Sequence, residues 1–292
     1  MIELDRLWKT HTKETALIII GVVVFDIFLW GAIINTSHRE TTVHFFDVGQ
    51  GDSELVRLGG NALMLVDGGP ANDLVIENLN RTVLEQRRYI DIVFLSHPQI
   101  DHFGGLLSVF EQYQVGALLH SGKRGEGIAA REFWDAASRY NIREIVLEKG
   151  DRICFRSDCF SVLSPSHEDK EKLSENDLSL ALLLQAKGSK LLFIGDSGSL
   201  TEDKIAAEAG LIDVLKVSHH GSKFSSSEQF LRAVMPRIAV IEVGKNSYGH
   251  PSPDTLARLK KIGASVLRTD ERGTISLIIE KDEISIFARE MK

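Results

Sequence analysis

Two histidines and one aspartate stand close together in a short segment of this chain. His97, Asp101 and His102 fall within six positions, and Gly104 and Gly105 follow them. Imidazole nitrogens and carboxylate oxygens are donors that borderline divalent cations accept in proteins. The glycines allow the backbone to turn sharply into a helix. The spacing therefore predicts a metal-binding loop, although a single histidine or aspartate at such a place is more often a turn or capping residue.

Further donor residues follow other apolar runs of the chain. Asp196 follows one such run, the adjacent His219 and His220 follow another, and Asp47 and Asp67 end two more. Strand ends converge on one edge of a sandwich, so we expect these side chains to lie together. We expect the adjacent imidazoles to point in opposite directions, so that one binds metal while its neighbour binds substrate or packs. The sequence leaves open which of the two is the ligand.

A scaffold of strands and helices must position these residues. Short β-rich runs alternate with helical stretches from about residue 41 onward, without a long linker or an internal repeat. Each sheet has one apolar face to bury against a second sheet, with helices outside. We therefore predict one α/β domain over residues 41–292. The predicted strands are 43–48, 62–66, 92–95, 117–119, 145–147, 161–163, 180–184, 190–194, 214–217, 238–241, 265–267 and 274–279. The predicted helices are 73–88, 105–112, 129–140, 201–207, 227–233 and 254–261.

Seven short motifs occur in a fixed order along this region. They are FFDVGQGD at 45–52, LVDGG at 65–69, SHPQIDHFGG at 96–105, IGDS at 194–197, SHHGS at 218–222, YGHPSP at 248–253 and LRTDERG at 267–273. In identity and order they resemble the metallo-β-lactamase superfamily, and specifically the hydrolase-like domain of ComEC-type DNA-uptake proteins. The resemblance spans nearly all of residues 43–280. It implies a four-layer αββα sandwich with a metal site at one edge of the sheets.

The resemblance also implies roles for individual residues. The implied metal ligands are His97, Asp101, His102, Asp196 and one of His219 and His220. Asp101 would orient or deprotonate the attacking water, and His250 would act beside the substrate. The other residues expected to bind substrate are Ser222, Lys223, Lys245 and Tyr248. Supporting roles fall to Asp47, Asp52, Asp67, Gln99 and Asn176, since metal-bound imidazoles need hydrogen-bond acceptors behind them.

Gln99 departs from the family pattern. The family usually has aspartate or histidine at this position, and the wider superfamily has a further histidine where Asn176 stands, as it commonly does in ComEC-like domains. An uncharged amide is a weak metal ligand. We therefore expect one tightly bound divalent cation, Zn²⁺ or Mn²⁺, and leave open a second, weaker one.

These observations favour a metal-dependent hydrolase, with a phosphodiester of nucleic acid as the preferred substrate and metal-activated water as the nucleophile. A net charge of −7 excludes a protein whose whole surface binds nucleic acid. Residues 216–272, however, contain ten lysines and arginines against five acidic residues. These charges could equally decorate solvated helices. Two alternatives stay open: a hydrolase of a small ester, lactone or lactam, and a binding domain that lost turnover with Gln99.

The N-terminal region differs from the rest of the chain. Residues 16–34 are apolar except for Asp26, and about twenty such residues cross a membrane as a helix. We therefore predict a short cytoplasmic tail over residues 1–15 and a single-pass anchor over 16–34, instead of a cleaved signal peptide or a buried helix. Basic residues before the segment place the following domain outside the cytoplasm. Asp26 within the span hints at oligomerisation.

The two cysteines flank a predicted tight hairpin. Cys154 and Cys159 are separated by four residues, and facing strands could hold their sulfurs at bonding distance. A disulfide would persist outside the cytoplasm, whereas two reduced core thiols are the alternative inside it. The sequence leaves this choice open.

Overall fold

A computed structural model describes residues 15–31, 40–83, 87–171, 173–281 and 283–288. The chain divides into two units, residues 1–39 and 40–292. The described part of the first unit is a helix, α1, over residues 15–31, whose residues are exposed. Positions 32–34 of the predicted anchor and positions 1–14 of the predicted tail lie outside the described residues. Within the described ranges, no helix combines the length and apolarity that crossing a membrane requires, and the anchor stays a prediction.

Among the residues that the structure describes, fifteen strands form the middle of the second unit. They are β1 Thr41–Phe45, β2 Glu54–Arg57, β3 Leu63–Val66, β4 Tyr89–Leu95, β5 Gln114–His120, β6 Arg143–Val146, β7 Arg152–Phe155, β8 Asp158–Ser164, β9 Ala181–Ala186, β10 Ser189–Phe193, β11 Val214–Lys216, β12 Ile238–Ile241, β13 Ser265–Arg268, β14 Ile275–Glu280 and β15 Glu283–Ala288. One sheet has eight strands in the order β15-β14-β1-β2-β3-β4-β5-β6, and the other has seven in the order β13-β12-β11-β10-β9-β8-β7.

The core lies between the two sheets, and helices cover their outer faces. Phe45, Phe160 and Phe193 are fully or almost fully buried where the sheets meet. The outer face of the eight-stranded sheet packs against α2, α4 and α5, and that of the seven-stranded sheet against α6, α7 and α8. The helices are α2 Leu74–Thr82, α3 Ile100–Phe103, α4 Leu106–Gln112, α5 Ile128–Arg139, α6 Ser199–Ala209, α7 Glu228–Val234, α8 Pro253–Lys261 and α9 Thr269–Arg272. The predicted two-sheet α/β sandwich is therefore confirmed.

Local sequence explains why these elements form where they do. Strands β3 and β12 are buried at every position, as expected for strands covered on both faces. Helix α8 begins at Pro253, and the Ser252 side chain before it accepts a hydrogen bond from the Thr255 backbone nitrogen at 3.1 Å. The predicted helix 73–88 is too long, because α2 ends at Thr82 and Val83 adopts an extended conformation.

The predicted cysteine hairpin is present. Strands β7 and β8 pair antiparallel, with Cys154 directly opposite Cys159. Their Cα atoms are 4.1 Å apart and the two sulfurs form a disulfide. This pairing decides between the two alternatives that the sequence leaves open, in favour of the cross-link.

Candidate metal centre and catalytic cleft

Strand ends from both sheets bring the predicted site residues together. Asp67 directly follows β3, and His97 lies two residues beyond the end of the neighbouring parallel strand β4. In the other sheet, Asp196 follows β10, and a turn containing His220 follows the parallel strand β11. The carboxyl ends of parallel neighbours lie at the same edge of a sheet. The expected convergence of donor residues at one edge is therefore observed.

The donor atoms of Asp101, His102, Asp196 and His220 lie near one another in pairs, with the spacing of a metal site. The Nε2 atom of His220 lies 3.4 Å from Oδ2 of Asp101 and 4.0 Å from Oδ2 of Asp196, and Nε2 of His102 lies 3.5 Å from Oδ1 of Asp196. A tetrahedral ion with bonds of about 2.1 Å separates its donors by about 3.4 Å. The donor set therefore fits a divalent cation.

Unsatisfied buried atoms support the same interpretation. The Nε2 atoms of His97, His102 and His220 and the Oδ1 atom of Asp196 are buried without a hydrogen-bond partner among the described residues. Buried polar atoms in folded proteins are nearly always hydrogen-bonded. His97, His102 and Asp196 form one group of donor atoms close enough to hold a metal ion, and His220 belongs to two others, one with Asp101 and His102 and one with Asp52 and Asp196. Cations bound in these groups would satisfy the unpaired atoms.

The opposite face of each candidate imidazole ligand is held by hydrogen bonds. Nδ1 of His102 lies 2.8 Å from Oδ2 of Asp67, whose carboxylate also accepts hydrogen bonds from the Ser96 hydroxyl at 2.6 Å and the Ser96 backbone nitrogen at 2.8 Å. Nδ1 of His220 lies 2.9 Å from the Glu242 carbonyl oxygen and 3.1 Å from Oδ1 of Asp52. Such acceptors keep the proton on Nδ1 and leave Nε2 available to a metal.

Asp47 occupies a different position from the other two supporting aspartates. Its Oδ1 accepts the backbone hydrogen of Gly49 at 3.2 Å, and its backbone carbonyl accepts a hydrogen bond from Asn78 at 3.1 Å. These contacts shape the loop that leads to Asp52. Direct support of a metal ligand by Asp47 stays a prediction.

The two adjacent histidines do not point in opposite directions. That expectation came from the alternation of an extended strand, whereas His219 and His220 lie in a tight turn with φ values of 49° and 51°. This left-handed backbone brings both rings to Asp196, with Nε2 of His219 at 3.6 Å from Oδ2. The His220 side chain is 2% exposed and that of His219 is 34% exposed. His220 is therefore the candidate ligand, and His219 faces the cleft.

The electrostatics of the centre favour a cation. Burial and the neighbouring His102 lower the pKa of His97 to about 3, so its imidazole is neutral. Burial also opposes the charge of His220, but Asp52 and Asp196 outweigh it and raise its pKa to about 10. The pKa of Asp196 is held well below its usual value because nearby imidazolium groups outweigh the effect of burial. The buried Asp196 carboxylate thus stays ionised and requires positive charge beside it.

A second metal position would have fewer strong donors. His97 and Asp196 face each other there, with Nε2 to Oδ2 at 3.9 Å. Gln99 donates a hydrogen bond from its side-chain amide to Oδ1 of Asn176, so the two amides bind each other. Only one imidazole and one carboxylate remain as strong donors in this group once His102 serves the first position.

An open cleft of about 660 Å³ leads to the centre. Asp101, His219, His220 and His250 line it together with two further carboxylates at Glu126 and Glu175 and the apolar Pro98, Ile100, Phe103, Ala129 and Ala130. Among the described residues that line the cleft, none is a lysine or an arginine. The charge of an anionic substrate would therefore be met chiefly by the cation.

Only some of the residues predicted to bind substrate line the cleft. Tyr248 and His250 line the cleft with ring centres 5.7 Å apart, and Tyr248 is 76% exposed. Ser222 is buried, and its hydroxyl accepts the backbone hydrogen of Phe224. Lys223 and Lys245 are exposed but do not line the cleft. Their contact with substrate stays a prediction, for a substrate that extends beyond the cleft.

The basic C-terminal region carries less free charge than its composition indicates. Arg258 donates hydrogen bonds to the backbone carbonyls of residues 225 and 226. Arg232 and Lys261 both contact Glu228, and Arg268 pairs with two neighbouring acidic residues. These contacts favour the interpretation that the charges mainly form structural and solvated ion pairs.

Sequence reasoning missed a buried charged cluster behind the centre. Lys216, Asp52, Glu54 and Glu242 are each at most 1% exposed. Burial and the neighbouring Asp52 raise the pKa of Glu242 to about 8, and burial and Glu242 raise that of Glu54. Lys216 is the last residue of an apolar strand and lies two positions before the SHHGS motif begins, where an apolar residue is expected. A charged residue at such a buried position is the signal that could have revealed the cluster.

Comparison with known proteins identifies the family. A family model described as beta-lactamase superfamily domain matches residues 64–223, and the chain belongs to this superfamily. ComE operon protein 3 of Bacillus subtilis (strain 168) is 29% identical over 272 residues, which are 87% of this chain and 34% of that protein. Competence protein ComA of Neisseria gonorrhoeae is 31% identical over 243 residues, 81% of this chain and 32% of that protein. The resemblance inferred from the motifs is confirmed.

The relatives and a solved structure show how much of their length and fold this chain shares with them. The chain spans about a third of the length of these two relatives. The crystal structure of Zn²⁺-bound PqqB from Methylobacterium extorquens superposes with a TM-score of 0.55 at 16% identity, over 77% of this chain and 87% of that one. At this identity the likeness concerns the fold, which in that protein holds Zn²⁺.

Proposed function

We propose that the second unit is a metal-dependent phosphodiesterase that acts on nucleic acid with one tightly held divalent cation. The observation that carries the proposal is the set of buried Nε2 atoms without hydrogen-bond partners that meets the carboxylates of Asp101 and Asp196 at the floor of an open cleft. Such a constellation is typical of a metal site with access for substrate.

Asp101, His102, Asp196 and His220 would hold the cation, and His97 would join Asp196 at the weaker position. Mixed imidazole and carboxylate donors suit Zn²⁺ or Mn²⁺. A cation bound there lowers the pKa of a water molecule and offsets negative charge on phosphate oxygens. The remaining steps fall to side chains of the chain itself.

Asp101 and His250 are placed to act on water and substrate. The Asp101 side chain is 29% exposed and lines the cleft, and its pKa is lowered because the neighbouring His220 and the charge of His102 outweigh burial. It can therefore accept a hydrogen bond from the attacking water and orient it. Burial and the neighbouring His219 lower the pKa of His250, so its neutral ring can donate a hydrogen bond to a phosphate oxygen.

Two observations support nucleic acid as the substrate. The exposed Tyr248 ring beside His250 offers a surface on which a base could stack. One relative that matches most of the chain is named competence protein ComA, and the motifs resemble those of DNA-uptake proteins. A single strand is the preferred form of the substrate, because its bases are free to stack.

A second candidate, hydrolysis of a small ester, lactone or lactam, is favoured by one feature of the cleft. Glu126 and Glu175 line it, and the described lining includes no basic side chain to attract a polyanion. The same activated water would attack a carbonyl as readily as a phosphodiester, and the fold does not choose between them. A binding domain without turnover is the third candidate, because Gln99 weakens one metal position.

Activity assays on the purified chain with Zn²⁺ or Mn²⁺ distinguish these candidates. We expect cleavage of single-stranded oligonucleotides, no comparable hydrolysis of p-nitrophenyl acetate or nitrocefin, and loss of cleavage in Asp101→Ala and His102→Ala. The matched controls His167→Ala and Asp203→Ala change exposed side chains outside the cleft and should retain activity. Ester hydrolysis without nuclease activity would favour the second candidate. Bound metal without either activity would favour the third, and full activity in both site variants would refute the metal centre.

A further inference from the structure

Lys216 occupies a place that a lysine rarely occupies. It is the last residue of β11, it is 1% exposed, and its side chain lies between the two sheets. A buried ammonium requires ionised or polar partners, since its desolvation is costly. Its Nζ contacts Oδ2 of Asp52 and lies 3.4 Å from the carbonyl oxygen of Gly195, the residue before Asp196. The Lys216 ammonium group therefore contacts one carboxylate and the backbone at the strand end that precedes a candidate metal ligand.

Asp52 connects this lysine to two candidate ligands. Its Oδ1 lies 3.1 Å from Nδ1 of His220, and its Oδ2 lies 3.7 Å from Nδ1 of His102. Both contacts are made on the Nδ1 side of the rings, opposite the Nε2 atoms that lack partners. The carbonyl oxygen of Glu242 shares Nδ1 of His220 at 2.9 Å. Asp52 thus stands behind the imidazoles and orients them, rather than taking a place among the atoms that face the cation.

We propose that Lys216 is a positioning residue for the metal centre, which fixes the Asp52 carboxylate so that His220 and His102 present Nε2 to the cation. The inference rests on the proposed function only in that it requires a metal at these ligands. It does not depend on which bond the protein hydrolyses. Neither the strand pattern nor the metal-ligand motifs assign this role to Lys216.

The sign of the effect on metal affinity distinguishes positioning from simple electrostatics. A buried positive charge near a cation repels it, so a lysine without a positioning role would make metal binding stronger when it is removed. A lysine that fixes the residue behind the ligands would make metal binding weaker when it is removed. Loss of such outer partners commonly reduces metal affinity about 10-fold to 100-fold.

Zn²⁺ affinity of the full chain, measured by competition with a chelator, tests the proposal. We expect Lys216→Met and Asp52→Asn each to weaken binding about 10-fold to 100-fold. The double variant should be about as weak as either single variant, because both changes disrupt one arrangement. It also leaves no unpaired buried charge, so it preserves the fold if a single variant does not. The control Glu54→Gln, in the same buried cluster but with no contact to an imidazole, should bind Zn²⁺ as the native chain does.

Native or tighter Zn²⁺ binding by a folded double variant would overturn the inference, as would additive losses in the two single variants. Circular dichroism and the free energy of unfolding of the metal-free variants show whether the fold is retained. A native chain that binds Zn²⁺ but cleaves no phosphodiester would refute the proposed function and leave the positioning role intact. A native chain that binds no divalent cation would overturn both.

Discussion

Replacing Gln99 by aspartate should create a second strong metal position. In the native chain Gln99 is bound to the amide of Asn176, and His97 and Asp196 face each other at 3.9 Å. Two strong donors do not hold a divalent cation tightly against water. We therefore expect one tightly held metal per native chain after dialysis, and a second only at high metal concentration.

The size of the effect follows from the charges at this position. At an effective dielectric of about 20, the attraction between a carboxylate and a divalent cation about 4 Å away is about 8 kcal/mol. Repulsion between the new carboxylate and Asp196 at a similar distance offsets about 4 kcal/mol of this attraction. Desolvation of the new carboxylate removes part of the remainder. A net gain of about 1.5–3 kcal/mol corresponds to about 10-fold to 100-fold tighter binding at the second position.

Metal counting and titration test this prediction. Elemental analysis after dialysis should give about one metal per native chain, and Mn²⁺ titration should show the second binding step move to lower concentration in Gln99→Asp. The control Gln99→Leu, which removes the amide without adding a ligand, should still hold one tight metal. Two equally tight metals in the native chain would refute the reasoning, and so would an unchanged second step in a folded Gln99→Asp variant.

Three further predictions concern stability and substrate. Burial and Arg57 lower the pKa of His44 to about 4. As the pH falls from about 6.5 to 4, the unfolded chain therefore binds a proton that the folded chain does not. Up to about 3 kcal/mol of the free energy of unfolding is lost in this range. Urea unfolding at pH 7 and 4.5 should show this loss shrink in His44→Gln, and an unchanged loss would contradict it. Gly105→Ala should destabilise the domain by about 3 kcal/mol, because its Cβ would lie 2.1 Å from a backbone oxygen. The control Gly127→Ala meets no atom within 4 Å and should cost only about 1 kcal/mol for its positive φ; equal losses in thermal unfolding would argue against the contact. Tyr248→Ala should raise KM for single-stranded oligonucleotides about 5-fold to 100-fold while Tyr248→Phe retains it, and an unchanged KM would exclude a stacking role.

Some elements follow from the sequence and others follow only from the tertiary structure. Apolar runs such as those of β3 and β12 predict their strands, because a strand covered on both faces has a continuous apolar sequence. Strand β2 has no such pattern, since its first residue, Glu54, is buried against another acid instead of facing solvent. The short helices α3 and α9 have four residues each and too few positions to show a helical period.

In the candidate site, too, some residues follow from the sequence and others follow only from the tertiary structure. Motif identity and strand-end placement were enough to select His97, Asp101, His102 and Asp196, because the geometry of parallel strands brings their ends together wherever the chain runs. The choice of His220 over His219 depends on two left-handed backbone angles and on burial, and neither is visible in a pair of identical letters. Only the packing of one sheet on the other places residues distant in the chain behind those ligands. The burial of Lys216 beside Asp52 is therefore a property of the tertiary structure, since their ion pair joins residues 164 positions apart.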